Sequence, residues 1–267
     1  KEWMLSPLVK TIQSHVDDSP AVTGRHGLAE SVTVSWATTQ AEVEEVQRLR
    51  YQVFSDELGV QLSGQNGLDE DKFDPYVEHV YVRDNKTGKV VGTYRALTPA
   101  SAAQIGLYAD QEFDISDLLR DRDQLLEVGR ACVHKDYRNG TVLMTLWKAL
   151  LQFAAKNKFE LILGCTSVPV SSNTPAIADI QQLLIDAGAM SDDYVVTPRN
   201  PLVDAMQPAV HADVKKTLPP LVKGYLRLGA KFCGEPSYDP DFQTADYLTI
   251  LRLSSVSSRY VKHFDLA

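Results

Sequence analysis

Residues 125–139 read LLEVGRACVHKDYRN. Leu125, Leu126, Val128, Ala131, Cys132 and Val133 mark a buried strand, and Glu127 and Arg130 interrupt it. Charges in such a run cost stability unless they are paired or used. In a regular strand, residues three apart face opposite sides. Glu127 and Arg130 therefore share a face only if the strand bulges between them, and Gly129 is the expected bulge. A bulge also frees backbone N–H groups, which can hold a developing oxyanion.

Working outward, residues 139–157 carry Val142, Leu146, Ala149, Leu150 and Phe153 at helical spacing, and FELILGCTS (159–167) is a short apolar strand. Upstream, EHVYVRD (78–84) and KVVGTYRAL (89–97) flank a turn at Asn85–Gly88 and form a β-hairpin. SVTVSW (31–36) alternates as a strand. Thr39 and Glu42 stand at capping-box spacing before a helix carrying Val43, Val46, Leu49, Val53 and Phe54, which stops near Gly59. Residues 62–76 form a loop dense in Gly and acid, and 99–123 a connector with a short helix around Ile115–Leu119. A helix over 176–188, a Pro-rich connector at 198–210, a helix over Leu218–Leu228 stopped by Gly229, and a strand at 245–253 complete the order. The pattern predicts a mixed α/β fold, a mixed central sheet flanked by helices with a bulged fourth strand. Residues 31–267 form one domain with a Pro-rich insertion near 198–220, preceded by an amphipathic segment and loop over 1–30.

The formal net charge of -8 argues against a nucleic-acid partner, whose affinity would rest on clustered basic charge. Cys132, Cys165 and Cys233 are odd in number and far apart, without zinc-ligand spacing, as expected of reduced thiols in the cytoplasm. No run of about 18 apolar residues or secretory signal is visible. Leu5, Leu8, Val9, Ile12 and Val16 line one helical face, which either packs on its own core or makes a peripheral contact with the membrane's inner face.

Further charges break apolar patterns: Arg50 within the first helix, Asp71 and Asp74 in the acidic loop, and Arg95 in the hairpin. With Glu127 and Arg130 they make a set of alternating sign drawn from four elements. One reading is structural pairing that holds the loop against the sheet. The other is a polar substrate cleft, where such charges gather. His79 and Ser167 do not extend this to a hydrolase, since no G-x-S-x-G elbow exists.

The order of elements, with a kinked fourth strand followed by an arginine-containing turn and a helix, resembles the GNAT acyltransferase fold. LRYQVFSDELG, EDKFDPY, VVGTYRAL and LEVGRACV resemble the homoserine lactone autoinducer synthases in order and spacing. HKDYRNGTVLMTLWKAL, LPPLVKGYLRLGAKFCGEPSYDPDF and RYVKHF look like the ornithine N-acyltransferase family, relatives sometimes labelled hemolysin-like. The match runs from about Ser31 to the C-terminus. The resemblance implies transfer of a long-chain acyl group, 3-hydroxylated or not, from acyl carrier protein to the α-amine of ornithine, the first step of ornithine lipid synthesis. Its alternatives are another amine acceptor, as in an autoinducer-type synthase, and a non-enzymatic membrane-lytic hemolysin.

The resemblance also assigns roles. Glu127 is the expected base, directly or through one water, with Arg130 beside it. Arg95 and Arg130 suit a substrate carboxylate or the loop's own acids, Asp71 and Asp74 suit a cationic substrate, and Arg50 helps shape the site. Phe54, Cys132, Leu163 and Cys165 are acyl-pocket candidates, with core packing as the other reading. Aligned on Arg138, the coenzyme A pattern Q/R-x-x-G-x-G/A meets Thr141 and Leu143 in place of its glycines. That suits a donor on the phosphopantetheine arm of a carrier protein, with no bound cofactor and no metal. Arg138, Lys215, Lys216, Lys223 and Arg227 are then a docking patch for an acidic carrier, or else a solvated face.

Overall fold

The computed structural model describes residues 31–57, 59–62, 66–170, 177–202 and 218–266. The amphipathic segment over 1–30, most of the Pro-rich insertion, and Lys215 and Lys216 lie outside the described residues. The chain begins with β1 (Val32–Trp36), α1 (Gln40–Tyr51), β2 (Glu78–Asp84), β3 (Val90–Leu97) and α2 (Pro99–Ile105). Next come β4 (Phe113–Asp114), β5 (Leu125–Val133), α3 (Thr141–Lys156), β6 (Leu161–Pro169) and α4 (Ile177–Asp186). The last part holds β7 (Met190–Ser191), β8 (Thr197–Pro198), α5 (Pro220–Leu228), β9 (Lys231–Asp239), β10 (Thr244–Arg252) and α6 (Ser258–Phe264). These divide into two compact units, one of residues up to Ile105 plus Val128–Phe153, the other of Gly106–Glu127 plus Ala154 onward.

In the first unit the strand order is β1-β2-β3-β5. β1 and β2 are antiparallel from Val32↔Asp84 to Trp36↔Val80, and β2 pairs β3 with His79 opposite Arg95. The hairpin turn ends at Gly88, whose φ of 70° belongs to glycine. Thr39 caps α1 as expected: its hydroxyl accepts from the Glu42 N–H while the Glu42 carboxylate takes the Thr39 N–H. After Tyr51 the helix widens into a π-turn, Gln52–Glu57. Helix α3 approaches β3 so closely that a Cβ on Gly92 would stand 2.3 Å from Val142 Cγ1.

In the second unit the order is β5-β6-β10-β9-β7. β5 and β6 are parallel over Leu125↔Leu161 to Glu127↔Leu163, β10 is antiparallel to both β6 and β9, and β7 is parallel to β9. Ile177, Ile180 and Leu184 of α4 pack with Val222 of α5, Phe232 of β9 and Tyr247 of β10. Gly229, at φ 92°, stops α5, with Ala230 N–H donating to the Tyr225 carbonyl.

Two details differ from expectation. The helix expected around Ile115–Leu119 is a 3₁₀ segment, Ser116–Gln124, because DLLRDRDQ has no apolar stripe and buries only Leu118. The connector before it holds α2, begun by Pro99 and capped by Thr98, whose hydroxyl accepts from Ser101 N–H. In β5, beside the bulge position expected at Gly129, the backbone turns left-handed at Arg130, with φ 50°.

Candidate active site

In the first unit, α1 buries Val46 and Leu49 and carries Arg50 inward with them, fully buried. A guanidinium there must find acceptors. Arg50 Nε donates to Asp69 Oδ2 at 2.8 Å, and Nη2 donates to both carboxylate oxygens of Asp74 at 2.8 and 2.9 Å. Burial alone would lower the Arg50 pKa, but Asp74 and Asp69 outweigh it and raise it.

The acidic loop is folded on itself to supply these partners. Asp71 N–H donates to Asp74 Oδ2, Phe73 N–H donates to Asp71 Oδ1, and Asp74-Pro75-Tyr76 forms a 3₁₀ turn. Arg95 of β3 donates to Asp71 Oδ1 at 2.7 Å and lies 3.5 Å from Asp74 Oδ1. Arg130 of β5 reaches Asp71 at 3.5 Å and Asp69 at 3.8 Å. Burial works to raise the pKa of Asp71 and Asp74. Arg95 for Asp71, and Arg50 with Arg95 for Asp74, override it and hold both below the usual carboxylate range.

His79 of β2 completes the cluster, with Nε2 3.2 Å from the Asp74 carbonyl oxygen. Burial, then the Arg50 guanidinium, push its pKa down to about 4, so the ring is neutral at pH 7. Exposure grades across the cluster: the Arg50 and Asp74 side chains are 0% exposed, Arg95 6%, Arg130 17% and Asp71 21%.

Arg130 sits in a left-handed conformation that costs a non-glycine residue roughly 1–2 kcal/mol. Such outliers cluster at functional sites. Its guanidinium lies over the Phe54 ring at 5.7 Å, and Phe54 comes from the π-turn, itself a feature frequent at such sites. Of the acyl-pocket candidates, Phe54 thus supports Arg130, and Cys132 is buried beside Arg50.

The other two, Leu163 and Cys165, lie on β6 in the second unit, as does Glu127 at the start of β5. Glu127 is 5% exposed; its Oε2 accepts from Tyr108 N–H at 2.7 Å and Oε1 from Ala109 N–H at 2.8 Å, holding the start of a 3₁₀ turn. The carboxylates of Glu112, Asp239 and Asp246 lie within 4.8 Å of one another. Burial, then Asp246, push Glu112 up to about 8, and burial raises Asp246 as well. The Cys165 thiol is pushed well up by burial and then by Glu112, so it stays protonated.

Arg138 is exposed and donates Nε–H to the Val133 carbonyl at 2.9 Å. Lys223 and Arg227 are half-buried and exposed on α5, four residues apart. The structure adds Asp69, His79, Glu112, Asp239 and Asp246 to the residues expected from sequence. Asp246 broke an apolar strand just as Glu127 does, and that signal alone pointed to it.

Strand β5, with its left-handed Arg130, leads through an arginine-bearing turn into the 16-residue helix α3, and the family and relatives that this chain matches make it an N-acyltransferase of the GNAT class. Residues 49–148 match the family described as acetyltransferase (GNAT) domain. The fold is similar to that of a CoA-dependent acyl-homoserine lactone synthase, BjaI, with SAM and isopentyl-CoA, at a TM-score of 0.50 and 13% identity, covering 88% of this chain and 87% of that one. The chain is 30% identical over 278 residues to the L-ornithine N(alpha)-acyltransferase of Agrobacterium fabrum, spanning 98% of this chain and 92% of the relative. It is 31% identical to that of Brucella abortus, spanning 91% of each. The chain belongs to the L-ornithine N(alpha)-acyltransferase family.

Proposed function

We propose that this enzyme transfers a long-chain acyl group from the phosphopantetheine thiol of acyl carrier protein to the α-amine of ornithine, the opening step of ornithine lipid synthesis. The observation that carries the reading is its 30% identity to an L-ornithine N(alpha)-acyltransferase over nearly the whole of both chains. The amine nitrogen attacks the thioester carbonyl, the C–N bond forms, the C–S bond breaks, and the thiol leaves with a proton. The amine loses its own proton to a base, and Glu127 takes that role, directly or through one water.

Exposure supports the assignment of the acceptor contacts. Arg130 and Asp71 are the most exposed members of the ion cluster at 17% and 21%, so Arg130 takes the α-carboxylate and Asp71 the side-chain ammonium of ornithine. Arg50, Arg95, Asp69 and Asp74 hold those two in place. Arg138, Lys223 and Arg227 are the basic groups offered to the carrier protein, and no resident cofactor is required. No helix among the described residues is long and apolar enough to cross a membrane; contact with the membrane through residues 1–16 belongs to the same proposal.

The test is thiol release from a long-chain acyl carrier protein on adding ornithine, then other amino acids. Ornithine-dependent release is expected, with kcat lowered about 10²–10⁴-fold in Glu127→Gln. Release with a different amine only would replace the acceptor. A folded Glu127→Gln with full kcat would return Glu127 to a purely structural role.

A further inference from the structure

We propose that His79 is a positioning residue for the amino-acid acceptor, acting through its Nε2–H on Asp74. The inference rests on the reading of Arg130 and Asp71 as the acceptor contacts.

A carbonyl oxygen can only accept, so the 3.2 Å contact from His79 to the Asp74 carbonyl places the ring proton on Nε2. Nδ1 is then a bare acceptor, and it has no hydrogen-bond partner among the described groups. The ring is 3% exposed and its Nε2–H is taken up by the Asp74 carbonyl, so its influence on the acceptor passes through Asp74. Its own position is fixed: β2 pairs His79 with Arg95, and the His79 carbonyl accepts from Ala37 N–H at 2.8 Å.

From Asp74 the linkage runs outward in short steps. Asp74 Oδ2 accepts the Asp71 N–H at 2.9 Å, Asp71 Oδ1 takes Arg95, and Asp71 Oδ2 faces Arg130. Asp74 thus holds the backbone of Asp71, Arg95 bridges the two carboxylates, and the Asp71 carboxylate sets where Arg130 points. From β2, His79 reaches the Asp74 carbonyl directly. A neutral donor suits this place, because a protonated ring would face Arg50 and Arg95.

Two variants separate positioning from packing. The amide nitrogen of a glutamine falls near the position of Nε2, and that of an asparagine near Nδ1. His79→Gln is expected to keep the KM for ornithine within about twofold of wild type, and His79→Asn to raise it about tenfold, the effect of one lost buried hydrogen bond. The KM for acyl carrier protein substrate should stay within about twofold in both. Equal ornithine KM in the two variants overturns the proposal, whether both match wild type or both are impaired. So does a rise in both KM values together, which marks general loosening. Wild-type enzyme inactive with ornithine but active with another amino acid removes the ornithine assignment, and the same two variants are then read on that acceptor's KM.

Discussion

Glu112 keeps its proton to about pH 8 because burial and the Asp246 carboxylate both disfavour the anion. Its folded pKa lies above the ordinary 4.5, so the stability it contributes is complete below pH 4.5 and is lost as pH rises toward 8. Glu112→Gln removes that loss. Melting curves at pH 5 and pH 8 should therefore converge in the variant, with the variant gaining at least about 2–4 °C over wild type at pH 8; an unchanged gap would mean the carboxyl ionises freely. This residue was not legible in the sequence, since it sits in a polar connector and owes its burial to tertiary packing alone. Arg50, Arg95, Asp71 and Asp74 were legible for the opposite reason: arginines stood in apolar helix and strand patterns, and the acids stood in a loop that had to answer them. Asp69 escaped notice because GLDEDKFD offers four acids in six positions, and only the fold selects the one that meets Arg50 Nε.

At the scale of elements, the helix α3 and strand β3 meet over Gly92. Gly92→Ala would press a methyl group 2.3 Å from a stiff Val142 and 3.2 Å from Leu146, costing about 1–3 kcal/mol in denaturant midpoint measurements. Gly129→Ala meets nothing within 4 Å and needs no left-handed backbone, so its change should stay within about 1 kcal/mol and can be stabilising. A Gly92→Ala chain as stable as wild type would show that α3 can retreat. Next to the bulge position expected at Gly129, it is Arg130 that takes the strained, left-handed conformation. Periodicity and capping located the hairpin, α1, α3 and β10. They missed β9, whose Gly234 and Pro236 read as breakers; Gly234 is left-handed there, and a Cβ would stand 2.7 Å from the Val196 carbonyl oxygen.

The whole chain carries a net charge of -8, so under the proposed function an acidic carrier protein would be repelled except at local basic groups. Arg227→Glu should raise the KM for acyl carrier protein several-fold at low salt, and the difference from wild type should shrink above about 0.3 M salt as screening sets in. An unchanged KM would move the docking surface away from α5. The acceptor should respond to salt hardly at all. Arg50, Arg95 and Arg130 are matched one for one by Asp69, Asp71 and Asp74, and His79 adds nothing at pH 7. The cluster is a charge-neutral lattice with no long-range pull of its own. Ornithine ready to react, its α-amine bare, carries one carboxylate and one ammonium and is equally neutral. The lattice can admit it by trading one ion pair for two, so ionic strength should govern which carrier arrives while leaving the choice of amino acid almost untouched.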